Sequence, residues 1–135
     1  MALTLLLIED DQLIQRMYEK MFKFDKFDVV TASDGEAGLD KARSMDPKPT
    51  VILLDVMMPK MNGMQVLEKL KEDPDLKHIP VIMLSNLAGD NDVEEALAKG
   101  AVKYIIKSEY DPGQISDMVK EIIAGYNRNE IPKAA

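Results

Sequence analysis

Leu3-Thr4-Leu5-Leu6-Leu7-Ile8 is a largely apolar run that ends in three acids, Glu9-Asp10-Asp11, and Val51-Ile52-Leu53-Leu54 ends in a further acid, Asp55. Apolar runs this short and this continuous read as strands covered on both faces, the habit of a parallel sheet. If both are central strands pointing the same way, Glu9, Asp10 and Asp55 converge at the carboxyl edge of the sheet, where open α/β folds bind ligands. Carboxylates that close repel one another, and a folded chain tolerates them through protonation, wide spacing or a cation. A divalent ion with an oxygen-only shell is the simplest resolution; Mg2+ fits, and it usually accompanies a phosphate. Asp11 by itself reads as the N-cap of the helix that follows.

Working outward, apolar runs alternate with helical patterns, the βα signature. Leu13, Ile14, Met17, Tyr18, Met21 and Phe22 keep helical spacing. Phe27 to Ala32 is a second strand, and a weaker helix covers about Asp34 to Met45, stopping before Pro47 and Pro49. After the Val51 strand come Pro59 and the turn pair Asn62-Gly63, then a helix marked by Val66, Leu67 and Leu70. Val81 to Leu84 is the fourth strand. Val93, Ala96 and Leu97 lie on a short helix closed by Gly100, and Val102 to Ile106 is the fifth strand. Ile115, Met118, Val119, Ile122, Ile123 and Tyr126 mark the last helix. Residues 127–135 carry no core pattern and are expected to form a mobile tail beyond a domain of residues 1–126.

Strands one, three and four are free of charge, whereas strand two contains Asp28 and strand five Lys103, which places two and five at the edges. Right-handed crossovers then give a doubly wound five-stranded parallel α/β sheet of order 2-1-3-4-5. Its switch point falls between strands one and three, beside the acids.

At 135 residues and 46% hydrophobic content, the chain suits one domain with a proper core. The absence of cysteine removes disulfides, thiolate metal sites and a thiol nucleophile. No apolar run approaches the ~20 residues of a membrane span, and a cytoplasmic location is expected. A net charge of −7 repels phosphate backbones, so direct nucleic-acid binding is not expected and the partners should be proteins. Glycine-rich phosphate loops of the GxGxxG or GxxxxGK[ST] type are absent, and acids stand where a nucleotide or flavin site needs backbone donors. The single histidine, His78, reads as a surface-loop residue, and no serine–histidine–acid set suggests acyl transfer.

Strand four delivers Ser85 and strand five Lys107 to the same edge. Alone, such a serine is a turn residue and such a lysine is solvated. Around one crevice with Asp10 and Asp55, they supply a hydroxyl donor and a point charge for a phosphoryl group.

Four spaced motifs now stand in order: Leu7-Ile8-Glu9-Asp10-Asp11, Leu54-Asp55-Val56-Met57-Met58-Pro59-Lys60-Met61-Asn62-Gly63, Leu84-Ser85-Asn86, and Lys99-Gly100-Ala101 leading to Tyr104-Ile105-Ile106-Lys107. Together they resemble the response-regulator receiver domain over about Thr4 to Tyr126, with a flavodoxin-like (βα)5 fold whose strand order is shared with the chemotaxis regulator and flavodoxin. The resemblance implies that Asp55 accepts a phosphoryl group from a phosphohistidine protein or a small phosphodonor. It implies one Mg2+ held by Asp10, Asp55 and the backbone carbonyl of Met57, with Glu9 acting through water. Lys107 and Ser85 would contact the phosphoryl group, and Ser85 and Tyr104 would form the switch. Partners implied are a sensor histidine kinase or histidine phosphotransfer protein and a downstream protein target on the face of helix four, strand five and helix five. The family's usual proline after the site lysine is replaced by Ser108, so a trans Lys107–Ser108 bond is expected, with a change in the loop that follows. Apolar Met57 and Leu87 stand where the family sets the hydrolysis rate, which implies a long-lived phosphoryl state.

Two rival readings remain. A Mg2+-dependent phosphatase of the haloacid dehalogenase type needs a second acid two residues after its nucleophile, and Met57 stands there. A pseudo-receiver acting only as an interaction module would lack Asp55, Asp10 or Lys107, and all are present. A signalling switch rather than a turnover enzyme is therefore the reading, either stand-alone or one part of a longer regulator.

Overall fold

A computed structural model describes residues 3–86 and 89–127. Five strands alternate with five helices: β1 (Leu3–Ile8), α1 (Gln12–Phe24), β2 (Phe27–Ala32), α2 (Gly35–Ser44), β3 (Val51–Leu54), α3 (Gly63–Glu72), β4 (Val81–Ser85), α4 (Asp90–Ala98), β5 (Lys103–Ile106) and α5 (Pro112–Asn127). All pairings are parallel and the order is β2-β1-β3-β4-β5. The charges that marked the edge strands, Asp28 and Lys103, are exposed.

Alternation along the three central strands divides the core between two faces. Leu6, Ile8, Ile52, Leu54, Val81 and Met83 point to one side, where α2 supplies Leu39 and Ala42, α3 supplies Val66, Leu67 and Leu70, and α4 supplies Ala96. Leu5, Leu7, Val51, Leu53, Ile82 and Leu84 point to the other, against Tyr18 and Phe22 of α1 and Ile115, Val119, Ile122 and Ile123 of α5. Each fully buried side chain of this size contributes roughly 1.5–3 kcal/mol, so the central strands are the most firmly held part of the molecule.

The starts of α1, α2 and α3 are set by polar caps. The Asp11 carboxylate accepts from the backbone N–H groups of Leu13 and Ile14 at 3.0 and 3.1 Å, as the sequence predicts. Asn62 and Gly63, read from sequence as a turn pair, instead begin α3. Asn62 and Gln65 form a reciprocal capping box, and Gly63 is the first helical residue. At the end of α4, Lys99 is the cap and Gly100 follows with φ 109°, the left-handed C′ conformation expected of it.

Other expectations need correction. Leu13 and Met17 keep helical spacing but do not join the core; α1 buries Tyr18 and Phe22, and Leu13 is 80% exposed. Leu97 of α4 is also exposed, leaving Ala96 as that helix's one buried side chain. β5 starts at Lys103 rather than Val102, although the Val102 N–H still donates to Val81. The Lys107–Ser108 bond is trans as expected, and Lys107–Glu109 form a short 3-10 turn; among the described residues the cis bond is Asp46–Pro47. The tail from 128 onward lies outside the described residues, as does Leu87. Among those described, no helix is long and apolar enough to cross a membrane.

Three polar ties join neighbouring segments. Ser116, fully buried on α5, donates to Asp25 at the end of α1. The exposed His78 offers its backbone carbonyl to the Tyr126 hydroxyl at 2.6 Å. Lys71 of α3 donates to the carbonyls of Lys77 and Ile79, both at 3.1 Å, and burial lowers its pKa to about 8. Between pH 8 and 10.5 the unfolded chain holds a proton that folded Lys71 has lost, so this residue makes stability rise with pH across that window. The neutral amine keeps two N–H donors for the two carbonyls. In urea titrations at pH 8 and pH 10, the midpoint of the wild type should rise relative to that of Lys71→Met. Parallel pH dependence in the two proteins would count against a depressed lysine.

Candidate functional site

The β1–β3 register pairs Ile8 with Leu54, so the next residues on the two chains, Glu9 and Asp55, emerge side by side. The Asp55 N–H donates to the Ile8 carbonyl at 3.1 Å, which carries the pairing past the strand ends. Carboxylate oxygens of Glu9, Asp10 and Asp55 lie within 4.8 Å of one another. Glu9 and Asp55 are buried, and Asp10 is the most open of the three. Ser85 from β4 is buried, and Lys107, just beyond β5, places its ammonium against the Glu9 carboxylate and 3.6 Å from an Asp55 oxygen. A cavity of about 340 Å³ opens among them, with Ile14, Met57 and Asn86 also on its wall.

Electrostatics follow from that crowding. Burial pushes the Glu9 carboxyl above its ordinary range and the Asp55 charge adds to the effect, while hydrogen bonding and attraction from Lys107 oppose it. Asp10 is raised as well, by loss of hydration and then by Glu9. Glu9 is further fixed by the Asp11 N–H, which donates to its other oxygen at 3.1 Å. The Met57 N–H lies 3.4 Å from Asp55 Oδ1, a long contact that orients the carboxylate. Behind the cavity, Tyr104 is partly buried and hydrogen-bonded to Ser85, and its hydroxyl pKa is raised chiefly by burial.

Every side chain expected at the site is therefore brought to one crevice, with Tyr104 in contact with it through Ser85. Three contributors were not legible as such. Ile14 lines the mouth because α1 starts there. Gln15 donates through its side-chain amide to the carbonyls of Glu9 and Ala32, at 2.9 and 3.1 Å, clamping the ends of β1 and β2. Gly63 lets α3 begin directly behind Asp55: its N–H donates to Val56 at 2.8 Å, and a Cβ there would lie 2.1 Å from the Asp55 carbonyl oxygen. Its place eight residues after Asp55 was visible, but the close approach exists only once α3 has docked.

The donor set is hard and anionic, three carboxylates converging without a thiolate or imidazole among them, and it suits a divalent ion that prefers oxygen. Residues 5–120 match the response regulator receiver domain family. The chain belongs to that family. It is 30% identical over 107 residues to the polar-differentiation response regulator DivK of Brucella anthropi, an alignment covering 79% of this chain and 85% of DivK. It is 37% identical over 107 residues to the response regulator PleD of Caulobacter vibrioides, of which it spans only 23%. A CheY-like receiver domain protein from Methanospirillum hungatei, at 23% identity, shares the fold with a TM-score of 0.86 over 96% of this chain and 99% of that one. The structure of a CheX–CheY–BeF3–Mg complex from Borrelia burgdorferi matches at 29% identity and TM-score 0.81, covering 89% of this chain and 88% of that one. The receiver is a domain of two-component signalling, a switch rather than a catalyst of turnover.

Because the missing Cβ faces rigid backbone, Gly63→Ala should destabilise the protein by about 1–3 kcal/mol. A chemical-denaturation midpoint within 0.3 kcal/mol of the wild type, on the scale where surface changes fall, would contradict the close packing assigned to this position.

Proposed function

We propose that this receiver domain is a phosphorylation-activated switch in which Asp55 accepts a phosphoryl group from a phosphohistidine protein. The observation that carries the reading is a buried carboxylate, Asp55, beside an acidic pair and 3.6 Å from the Lys107 ammonium, on the wall of a cavity. In the transfer, an Asp55 carboxylate oxygen forms the bond to phosphorus as the bond to the donor's imidazole nitrogen breaks. Lys107 faces both acids and is placed to balance charge on a phosphoryl oxygen, and the Ser85 hydroxyl is placed to donate to another. Asp10, Asp55 and the Met57 carbonyl would hold one Mg2+, with Glu9 acting through water. Bound there, the ion would neutralise the negative charge that donor phosphate and carboxylates bring together. Receiver-family resemblance and the Mg in the Borrelia complex support that choice of metal.

The switch is proposed to run through Ser85 and Tyr104. Their hydrogen bond links the site to β5, and α4 beside it is held by few buried side chains. A Ser85 hydroxyl drawn toward the phosphoryl group would release Tyr104 to move inward and alter the α4–β5–α5 face on which a protein target binds.

Acetyl phosphate provides the direct test. Intact mass should show a single adduct that requires Mg2+ and disappears in Asp55→Asn. An adduct that persists in the variant would place the acceptor elsewhere, and failure of the wild type to bind beryllofluoride with Mg2+ would favour an interaction module over a switch.

Met57 is 63% exposed on the wall beside Asp55, where its apolar side chain hinders an approaching water. The phosphoryl group should therefore last minutes or longer, and Met57→Asn should shorten its life about tenfold. Loss of the wild-type adduct within seconds would show that Met57 does not hinder water.

A further inference from the structure

Met57 stands apart from the other methionines of the chain. It is the most exposed of those described, at 63% against 45% for Met17, whereas Met83 within the sheet and Met64 at the start of α3 are buried. It also lies on the walls of two adjoining cavities. One, of about 340 Å³, holds Asp55 and Lys107; the other, of about 420 Å³, is bordered by Met58, Pro59 and Asn62, and the two share Asp10 and Met57. The Met57 N–H lies 3.4 Å from Asp55 Oδ1, so the main chain is tied to the proposed acceptor while the side chain stands open to solvent. A single exposed apolar side chain needs no explanation, but this one carries an oxidisable sulfur beside a carboxylate whose adduct depends on the exclusion of water.

The chemistry of the thioether decides what it can do there. An exposed methionine reacts with peroxides, and the chain contains no cysteine, so no thiol of its own competes for the oxidant or restores the sulfur afterwards. Sulfur attacks one peroxide oxygen with its lone pair, the S–O bond forms as the O–O bond breaks, and the proton on the transferred oxygen passes to the departing hydroxide, which leaves as water. Sulfur is oxidised by two electrons and the peroxide is reduced. An apolar side chain thereby becomes a polar one. At Met83 or Met64 that change would break the core, but Met57 has little packing to lose. What changes instead is the hydration of the cavity wall.

Resting on the reading of Asp55 as phosphoacceptor, we propose that Met57 is an oxidation site through which a peroxide shortens the life of the phosphoryl group. The reduced thioether keeps water from the Asp55 adduct, whereas the sulfoxide oxygen accepts hydrogen bonds from water and holds it on the same wall. A thiol-dependent methionine sulfoxide reductase restores the longer life. Signal duration is set in this way while the side chains of Asp55, Ser85 and Lys107 stay unaltered.

The test treats the whole chain with hydrogen peroxide at a dose that adds one oxygen on average, then with catalase, acetyl phosphate and Mg2+. Fragment masses locate the oxygen, and intact mass follows the phosphoryl adduct in the oxidised and unoxidised populations of one sample. Oxygen should enter at Met57 ahead of the other methionines, and the oxidised adduct should decay about tenfold faster. Methionine sulfoxide reductase with dithiothreitol should restore the slower decay. Met17→Leu should respond as the wild type does, and in Met57→Leu peroxide should leave that variant's own decay rate unchanged. Oxidised wild type should keep the melting temperature of the reduced protein. First oxidation at another methionine, an unchanged lifetime once Met57 carries oxygen, equal shortening in Met57→Leu or a lowered melting temperature would overturn the proposal. Failure of the unoxidised wild type both to take up a phosphoryl group and to bind beryllofluoride would instead remove the phosphoacceptor reading itself, and the oxidation proposal with it.

Discussion

Two carboxylates that emerge from adjacent parallel strands cannot avoid each other. The pairing of Ile8 with Leu54 places Glu9 beside Asp55, and Asp10 completes a set of acids within 4.8 Å. At an effective dielectric near 20, each pair of unit charges at such a separation repels by roughly 3–4 kcal/mol. Sliding the strands to relieve this would move the fully buried Leu6, Ile8, Ile52 and Leu54 out of register with the helices above them. The core thus holds the acids together, and the Lys107 ammonium between Glu9 and Asp55 offsets part of the repulsion. Burial, and after it the Asp55 charge, raises the Glu9 pKa, and the converging acids form a set of oxygen donors suited to a divalent ion.

Rigidity is distributed unevenly around that centre. β1, β3 and β4 are buried on both faces and carry Glu9, Asp55 and Ser85 at or beyond their ends. α4, by contrast, rests on the small side chain of Ala96, with Leu97 turned to water and no side-chain cap at its start. The sheet that carries Asp55 is firm, whereas α4, packed on β5, is loosely anchored. Such a difference in local stability is what a switch requires. The hydrogen bond between Ser85 and Tyr104 spans the boundary between the two regions.

Gly63 and Gln15 show how the surroundings serve the acids. Without a Cβ at 63, α3 starts directly against the Asp55 backbone, and its capping box satisfies donors that would otherwise lie open beside the site. Gln15 reaches from the first turn of α1 to carbonyls at the ends of two strands. Both residues act on the position of the acids while bearing none of the chemistry.

The strand order was legible because burial on two faces excludes charge, so Asp28 and Lys103 marked the edges. The site was legible because strand ends in such a sheet meet at one edge, which placed Glu9, Asp10, Asp55, Ser85 and Lys107 together before any coordinates were known. Helical spacing alone misjudged Leu13 and Met17: periodicity reports that apolar residues are aligned, not whether anything covers them. The pair Asn62-Gly63 was misread as a turn because its meaning lies in the approach of α3 to Asp55. Sequence by itself determined the sheet, its order and the identity of the converging groups, since these follow from patterns local to each strand. Only the tertiary structure decided the partnership of Lys107 with Glu9, the hydrogen bond between Ser85 and Tyr104 and the uncovered face of α1. Each depends on contacts between residues far apart in the chain, whose distances are set by packing rather than by spacing.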